Sequence, residues 1–141
     1  MKVHVLDANA LYRFLTGGPG ADIVRRLLKD ARDAEQPLQI SVVNWGEVYY
    51  TIAKVKGFAE TDKIMDRVGM LPLTVLDADE LVTTHAARLK AGHGLPYADC
   101  FAAATAGTSG VLVTSEAKDF RKVPGVQLLA LPEHKAGRHS S

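Results

Sequence analysis

The chain of 141 residues contains a single cysteine, Cys100. One thiol excludes an internal disulfide and any cysteine-rich zinc site. No apolar run approaches the ~20 residues needed to span a bilayer, so no membrane partner is expected. The N-terminus has no basic region followed by a long apolar core of the kind that directs secretion. A soluble, cytoplasmic protein is the expectation. The formal net charge is only +1, too balanced to announce a nucleic-acid binder by charge alone. A polyanionic partner would have to be held by local cations or by metal ions. The histidines show no His-Glu-x-x-His spacing, and the loop "TGGPG" at residues 16–20 lacks the Lys-Ser/Thr ending of a phosphate-cradling loop. It reads as a flexible connection.

What is present is ordinary for one globular domain. The length suits a single unit that buries about two-thirds of its unfolded surface, and 47% hydrophobic with 23% charged residues is a typical balance. There is no internal repeat. Apolar runs alternate with helical patterns. Strands are predicted at Val3–Leu6, "LQISVV", "LPLTVL", "VLVT" and "VQLLAL". Between them, helical stripes are carried by Ile23, Leu27 and Leu28, by Val48, Ile52 and Val55, by Ile64, Val68 and Leu71, and by Leu81, His85 and Leu89. His85, on that last stripe, is expected to be packed. Asp77 and Glu80 have the spacing of a capping box. The Ala-rich segment "LPYADCFAAATAGTSG" is punctuated by Pro96 and Gly107, as a helix start and stop require. Strands in nearly unbroken apolar runs, alternating with helices, imply an α/β domain whose mostly parallel sheet of four to five strands is covered on both faces. Residues 1–132 form that domain, and the polar stretch "EHKAGRHSS", residues 133–141, is expected to be a flexible tail.

In such sheets, sites form beyond the carboxyl ends of the strands, and acids fall there. Asp7 closes the first strand in "VLDANAL"; Glu47 follows the second in "SVVNWGEVYY"; Asp99 opens the Ala-rich helix; Glu116 and Asp119 follow the fourth strand in "VLVTSEAKDF". Each has a plainer reading. Asp7 suits an N-cap, Glu47 stands three residues after Asn44 as in a capping box, Asp99 suits the helix dipole, and Asp119 suits a turn. Taken together they are less easily dismissed. Asp99 lies among Ala98, Cys100, Phe101, Ala102 and Ala103, where an unpaired charge is costly. Clustered carboxylates either take up protons or bind a cation. An all-oxygen donor set suits Mg²⁺ or Mn²⁺, and such ions commonly serve phosphate chemistry.

The segments "LDANAL", "NWGEVYY", "LPYADCFAAATA" and "VTSEAKDF", in that order over residues 3 to about 131, resemble a PIN domain. Within that superfamily they are similar to a VapC-type toxin ribonuclease of a type II toxin–antitoxin system. The resemblance implies a three-layer α/β/α sandwich with strand order 3-2-1-4-5. It also implies metal-dependent endonucleolytic cleavage of RNA to a 5′ phosphate and a 3′ hydroxyl, and a cognate antitoxin. On this carry-over Asp7, Glu47, Asp99 and Asp119 are the catalytic acids. Asp7, Asp99 and Asp119 hold Mg²⁺, with Mn²⁺ able to substitute; Glu47 completes the site or orients the attacking water; Asn9 and Thr114 support it by hydrogen bonds. Glu116 stands where the family often has Asp or Asn, and is a further candidate ligand with a longer side chain. Arg13, Lys118, Arg121 and Lys122 are candidates for RNA phosphates, which need local positive charge. Trp45, Tyr49 and Tyr50 read as core or as a homodimer surface, and Cys100 as a small core residue. Two other classes remain open. One is a phosphoryl-transfer protein of receiver or haloacid-dehalogenase type with Asp7 as nucleophile, although the second of these wants an acid where Asn9 stands. The other is a non-catalytic binding module on the same fold.

Overall fold

The computed structural model describes residues 2–133. Except for Glu133, the expected polar tail lies outside the described residues. In chain order the elements are β1 (His4–Leu6), α1 (Ala8–Thr16), α2 (Ala21–Asp33), β2 (Leu38–Ser41), α3 (Val42–Lys56), α4 (Phe58–Val68), β3 (Leu73–Leu76), α5 (Glu80–His93), α6 (Tyr97–Ala106), β4 (Val111–Thr114), α7 (Ala117–Phe120) and β5 (Gln127–Ala130). The strands form one sheet in the order β3-β2-β1-β4-β5, every pairing parallel. β1 is therefore central, with Leu6 opposite Ile40 on one side and Val113 on the other. All five carboxyl ends open on the same edge.

The two-residue period of a strand sends successive apolar residues into two cores. Leu6, Ile40 and Val113 meet Leu11, Val24, Leu28, Val48 and Ile52 from α1, α2 and α3. Val5 and Leu112 meet Ala86, Cys100, Phe101 and Phe120 from α5, α6 and α7. That is the three-layer α/β/α arrangement, and it explains why the strands read as unbroken apolar runs.

Several local expectations shift. The second strand stops at Ser41, whose hydroxyl caps α3 by accepting from the Val43 N–H at 3.2 Å, so Val42 and Val43 are helical. The cap of α5 is Asp79, which accepts from the Val82 N–H at 2.9 Å, rather than Asp77. The buried stripe of that helix consequently runs through Val82, Ala86 and Leu89; Leu81 is 80% exposed and His85 faces solvent. Val55, in the last turn of α3, is also exposed.

One glycine is set by close approach. Gly110 turns the chain from α6 into β4, and a Cβ there would stand 2.8 Å from the Ala106 carbonyl oxygen and 3.2 Å from that of Val3. The Val3 oxygen accepts the Val111 N–H that seats β4 beside β1, and the Ala106 oxygen accepts the Gly110 N–H, so neither can retreat without loosening a backbone bond. Gly110→Ala is expected to cost roughly 1–3 kcal/mol by overpacking, measured by urea denaturation; an unchanged midpoint would contradict this.

Candidate active site

The acids gather where the parallel strands end. Asp7 leaves β1 and opens α1 with its carboxylate Oδ1 accepting the Ala10 N–H at 2.8 Å. It is thus a genuine N-cap, as its position allowed. It is also only 3% exposed, far more enclosed than a cap requires. Thr114, buried at the end of β4, accepts the Glu116 N–H at 2.8 Å through its hydroxyl oxygen and turns its O–H to Asp7. The Thr114 and Ala10 bonds favour the ionised form, but desolvation outweighs them. Burial, with added repulsion from Asp99 and Glu116, pushes the Asp7 carboxyl up to about 7. Asp99, half-buried in the first turn of α6, is raised to about 6 by burial and then by the charges of Glu47, Glu116 and Asp119. The five acids therefore share one electrostatic neighbourhood, Glu116 included. Its charge bears on both Asp7 and Asp99.

The expected accessory residues divide. Asn9 donates through Nδ2 to the hydroxyl of Ser115, tying the first turn of α1 to the loop after β4 rather than to an acid. Lys118, Arg121 and Lys122 are exposed on and after α7, beside Asp119, and none forms an ion pair among the described residues. Arg13 does not join them. It is 3% exposed, and its guanidinium donates to the carbonyls of Pro19, at 3.0 Å, and Pro132. It pins the α1–α2 loop to the segment after β5, because its place in α1 turns the side chain inward under that segment; a phosphate backbone cannot reach it there. Gly20, in the same loop, packs against Leu131 and Pro132, so the "TGGPG" segment is a filled junction and not an anion cradle. Trp45 and Tyr49 lie 5.8 Å apart against the α1–α4 core, and of the three aromatics only Tyr50 stands clear of it.

Two residues of the neighbourhood were not anticipated. Ser115 gave no signal in the sequence. Asn44 was read only as a cap, yet Ser41 fills that role, and Asn44 lies inside α3, 1% exposed, with Nδ2 donating to Glu47 Oε1 at 3.1 Å and to the Ala98 carbonyl at 3.0 Å. Its spacing of three from Glu47, which places both on one helix face, was the available clue.

Among the described residues no three His, Cys, Asp or Glu side chains already stand in a metal-ligand arrangement. Mg²⁺, however, is commonly held through one or two carboxylates while keeping several waters, and the unmet negative charge on Asp7 and Asp99 is what a hard cation would relieve. The donor set fits such a loosely caged ion.

A three-layer sandwich, doubly wound around a parallel sheet and carrying acids at the carboxyl edge, defines the class of protein. Within it, the model of the PIN domain family matches residues 4–126, and the chain belongs to that family. Among solved structures it is similar to DNA-bound VapBC from Salmonella typhimurium, with 21% identity, a TM-score of 0.75, and 92% of this chain and 98% of that one covered. VapBC2 from Rickettsia felis, bound to a promoter DNA fragment, matches with 18% identity, a TM-score of 0.72 and the same coverages. VapBC-1 from nontypeable Haemophilus influenzae matches with 19% identity, a TM-score of 0.69, and 91% and 97% covered. At these identities the likeness is one of fold. Comparison with curated proteins returns no match.

The raised carboxyls give stability a defined pH dependence. In the unfolded chain Asp7 ionises near its ordinary value of 3.8, and in the native protein near about 7. Between those values the native state holds a proton that the unfolded chain has lost, so stability falls as pH rises from about 4 to 7. Asp99 adds to the fall up to about pH 6. In EDTA the melting temperature should therefore drop across that window. Asp7→Asn, which caps about as well, should flatten the drop and raise the melting temperature at pH 7.5. Superimposable pH profiles of the two proteins by calorimetry would contradict this.

Proposed function

We propose that the chain is a Mg²⁺-dependent endoribonuclease acting as the toxin of a toxin–antitoxin pair. The observation that carries the reading is the mutual repulsion of Asp7, Asp99, Glu47, Glu116 and Asp119 at the carboxyl edge of a PIN sheet, a cost that a purely structural edge has no reason to retain. Asp7, Asp99 and Asp119, with Glu116 within reach, would hold Mg²⁺ or Mn²⁺, which supplies positive charge for the phosphoryl oxygens and acidifies water. Glu47 accepts the proton of a water aligned against the scissile phosphodiester, opposite the departing 3′ oxygen. The Thr114 hydroxyl bonds the Asp7 carboxylate and favours its ionised form against the cost of burial. Lys118, Arg121 and Lys122 engage the flanking phosphates and set the strand across the site. No side chain serves as nucleophile.

A further solved structure of the same fold, 23% identical with a TM-score of 0.63, is a toxin–antitoxin complex from Klebsiella pneumoniae, which supports a cognate antitoxin as partner here. An Arg or Lys of that partner, placed among the acids, would take the position of the metal charge. A homodimer would find apolar surface at Tyr50, Val55 and Phe58, exposed at the α3–α4 corner. No described helix is long and apolar enough to cross a membrane. The reading with Asp7 as a phosphorylated nucleophile is less well supported. One of its oxygens is engaged by the Ala10 N–H, and the carboxyl is buried, its ionisation pushed up to about 7.

The test is cleavage of fluorescent single-stranded and stem-loop RNAs by purified protein. Cutting is expected with Mg²⁺ or Mn²⁺, none in EDTA, and a loss of roughly 100-fold or more in Asp99→Asn, as for removal of a charge that positions metal and water. Equal cutting in EDTA, or an equally active Asp99→Asn, would overturn the proposal.

A further inference from the structure

A buried asparagine amide is costly unless its polar atoms find partners, and Asn44, in the first turn of α3, is almost fully enclosed. An apolar side chain of similar size would fill the same space. What the amide adds is two donors. One N–H of Nδ2 goes to Glu47 Oε1 at 3.1 Å, the other to the Ala98 carbonyl at 3.0 Å. Both partners are acceptors, so the amide has one workable orientation; reversed, its oxygen would oppose two oxygens. In that orientation Oδ1 is buried without a partner among the described residues. The amide therefore serves its donor side at the expense of its acceptor side.

The two acceptors matter because of what they adjoin. Glu47 belongs to α3. Ala98 immediately precedes Asp99 in the first turn of α6. The Asn44 amide thus joins one acid directly to the backbone that carries another. Glu47 and Asp99 repel each other, and Glu47 has a long, partly exposed side chain with ample rotamer freedom. Left alone, its carboxylate would turn away from Asp99 toward water.

We propose that Asn44 is a positioning residue, an amide clip that holds the Glu47 carboxylate against the α6 backbone beside Asp99 and so keeps two like charges within one site. The inference rests on the nuclease reading above and adds to it a residue outside the acidic set. Asn44 touches neither substrate nor metal; it acts through Glu47. A residue that only packs would affect stability equally whether Glu47 is present or not. The clip predicts dependence on Glu47.

The test compares wild type, Asn44→Leu, Glu47→Ala and the double variant, with Mn²⁺ alone as the calorimetric probe and RNA cleavage as a second readout. Asn44→Leu should weaken Mn²⁺ binding and lower kcat by about 10–100-fold, as loss of an orienting partner does, with KM for RNA within about twofold. In the Glu47→Ala background, which has no side-chain acceptor for the amide, the same substitution should change both by less than about twofold. Equal losses in the two backgrounds, or no loss in either, would overturn the clip. If Asn44→Leu fails to fold, Asn44→Ser takes its place in the same comparison. A wild type that neither binds Mn²⁺ nor cuts RNA would remove the nuclease reading. The clip is then judged in metal-free protein by the side-chain amide signal of Asn44 in nitrogen-15 spectra. Protection from exchange in wild type that is lost in Glu47→Ala upholds it, and an unmoved signal overturns it.

Discussion

Two carboxylates about 5 Å apart repel by roughly 3 kcal/mol at an effective dielectric of 20, and this protein brings several acids into one another's field at the edge of a dry sheet. Asp7 is enclosed beside the end of the central strand, Asp99 lies in the first turn of α6, and each is destabilised as an anion by burial first and by its acidic neighbours second. Much of the surrounding architecture can be read as the means of keeping these groups from separating. The Ala10 N–H and the Thr114 hydroxyl bond Asp7, the Asn44 amide bonds Glu47, and Asn9 ties α1 to Ser115 in the loop that leads to Glu116.

The fold makes such gathering possible at modest cost. An all-parallel sheet aligns every carboxyl end on one edge, and its central strand, flanked on both sides, cannot drift. Two apolar cores, one on each face, anchor the helices that deliver the acids: α1 begins at Asp7, α3 carries Glu47, α6 carries Asp99, and α7 carries Asp119. Rigid helices starting at strand ends are how residues distant in sequence come to share one field. Arg13 contributes to the same rigidity from the far end of α1, where it locks the loop before α2 to the chain after β5.

The sequence carried the fold clearly because strands buried on both faces leave an unmistakable apolar signature, and because Pro96 and Gly107 bracket α6 where a helix must start and stop. The PIN segments, in order, supplied the strand order. The acids were legible for a similar reason: a charge at the end of an apolar strand or amid alanines has few plain explanations. What stayed hidden depends on three-dimensional closure. Arg13 looked accessible because a one-dimensional pattern cannot show that the chain after β5 returns over it. His85 looked buried because Leu81 suggested a stripe, whereas the Asp79 cap turns the face by one position. Asn44 and Ser115 act through partners distant in sequence, Ala98 and Asn9 respectively, and nothing local foretells them.

The proposed function requires that a cation bound at this edge displace the protons that burial favours on Asp7 and Asp99, and proton counting tests it most directly. A cation binds the ionised carboxylates, so its arrival must expel whatever protons they hold. Titration of metal-free protein with Mg²⁺ in weakly buffered solution should release roughly one proton per chain near pH 6.5, where Asp7 and Asp99 are still partly protonated, and almost none at pH 8.5. Mg²⁺ binding at pH 6.5 without proton release, or release undiminished at pH 8.5, would contradict the account.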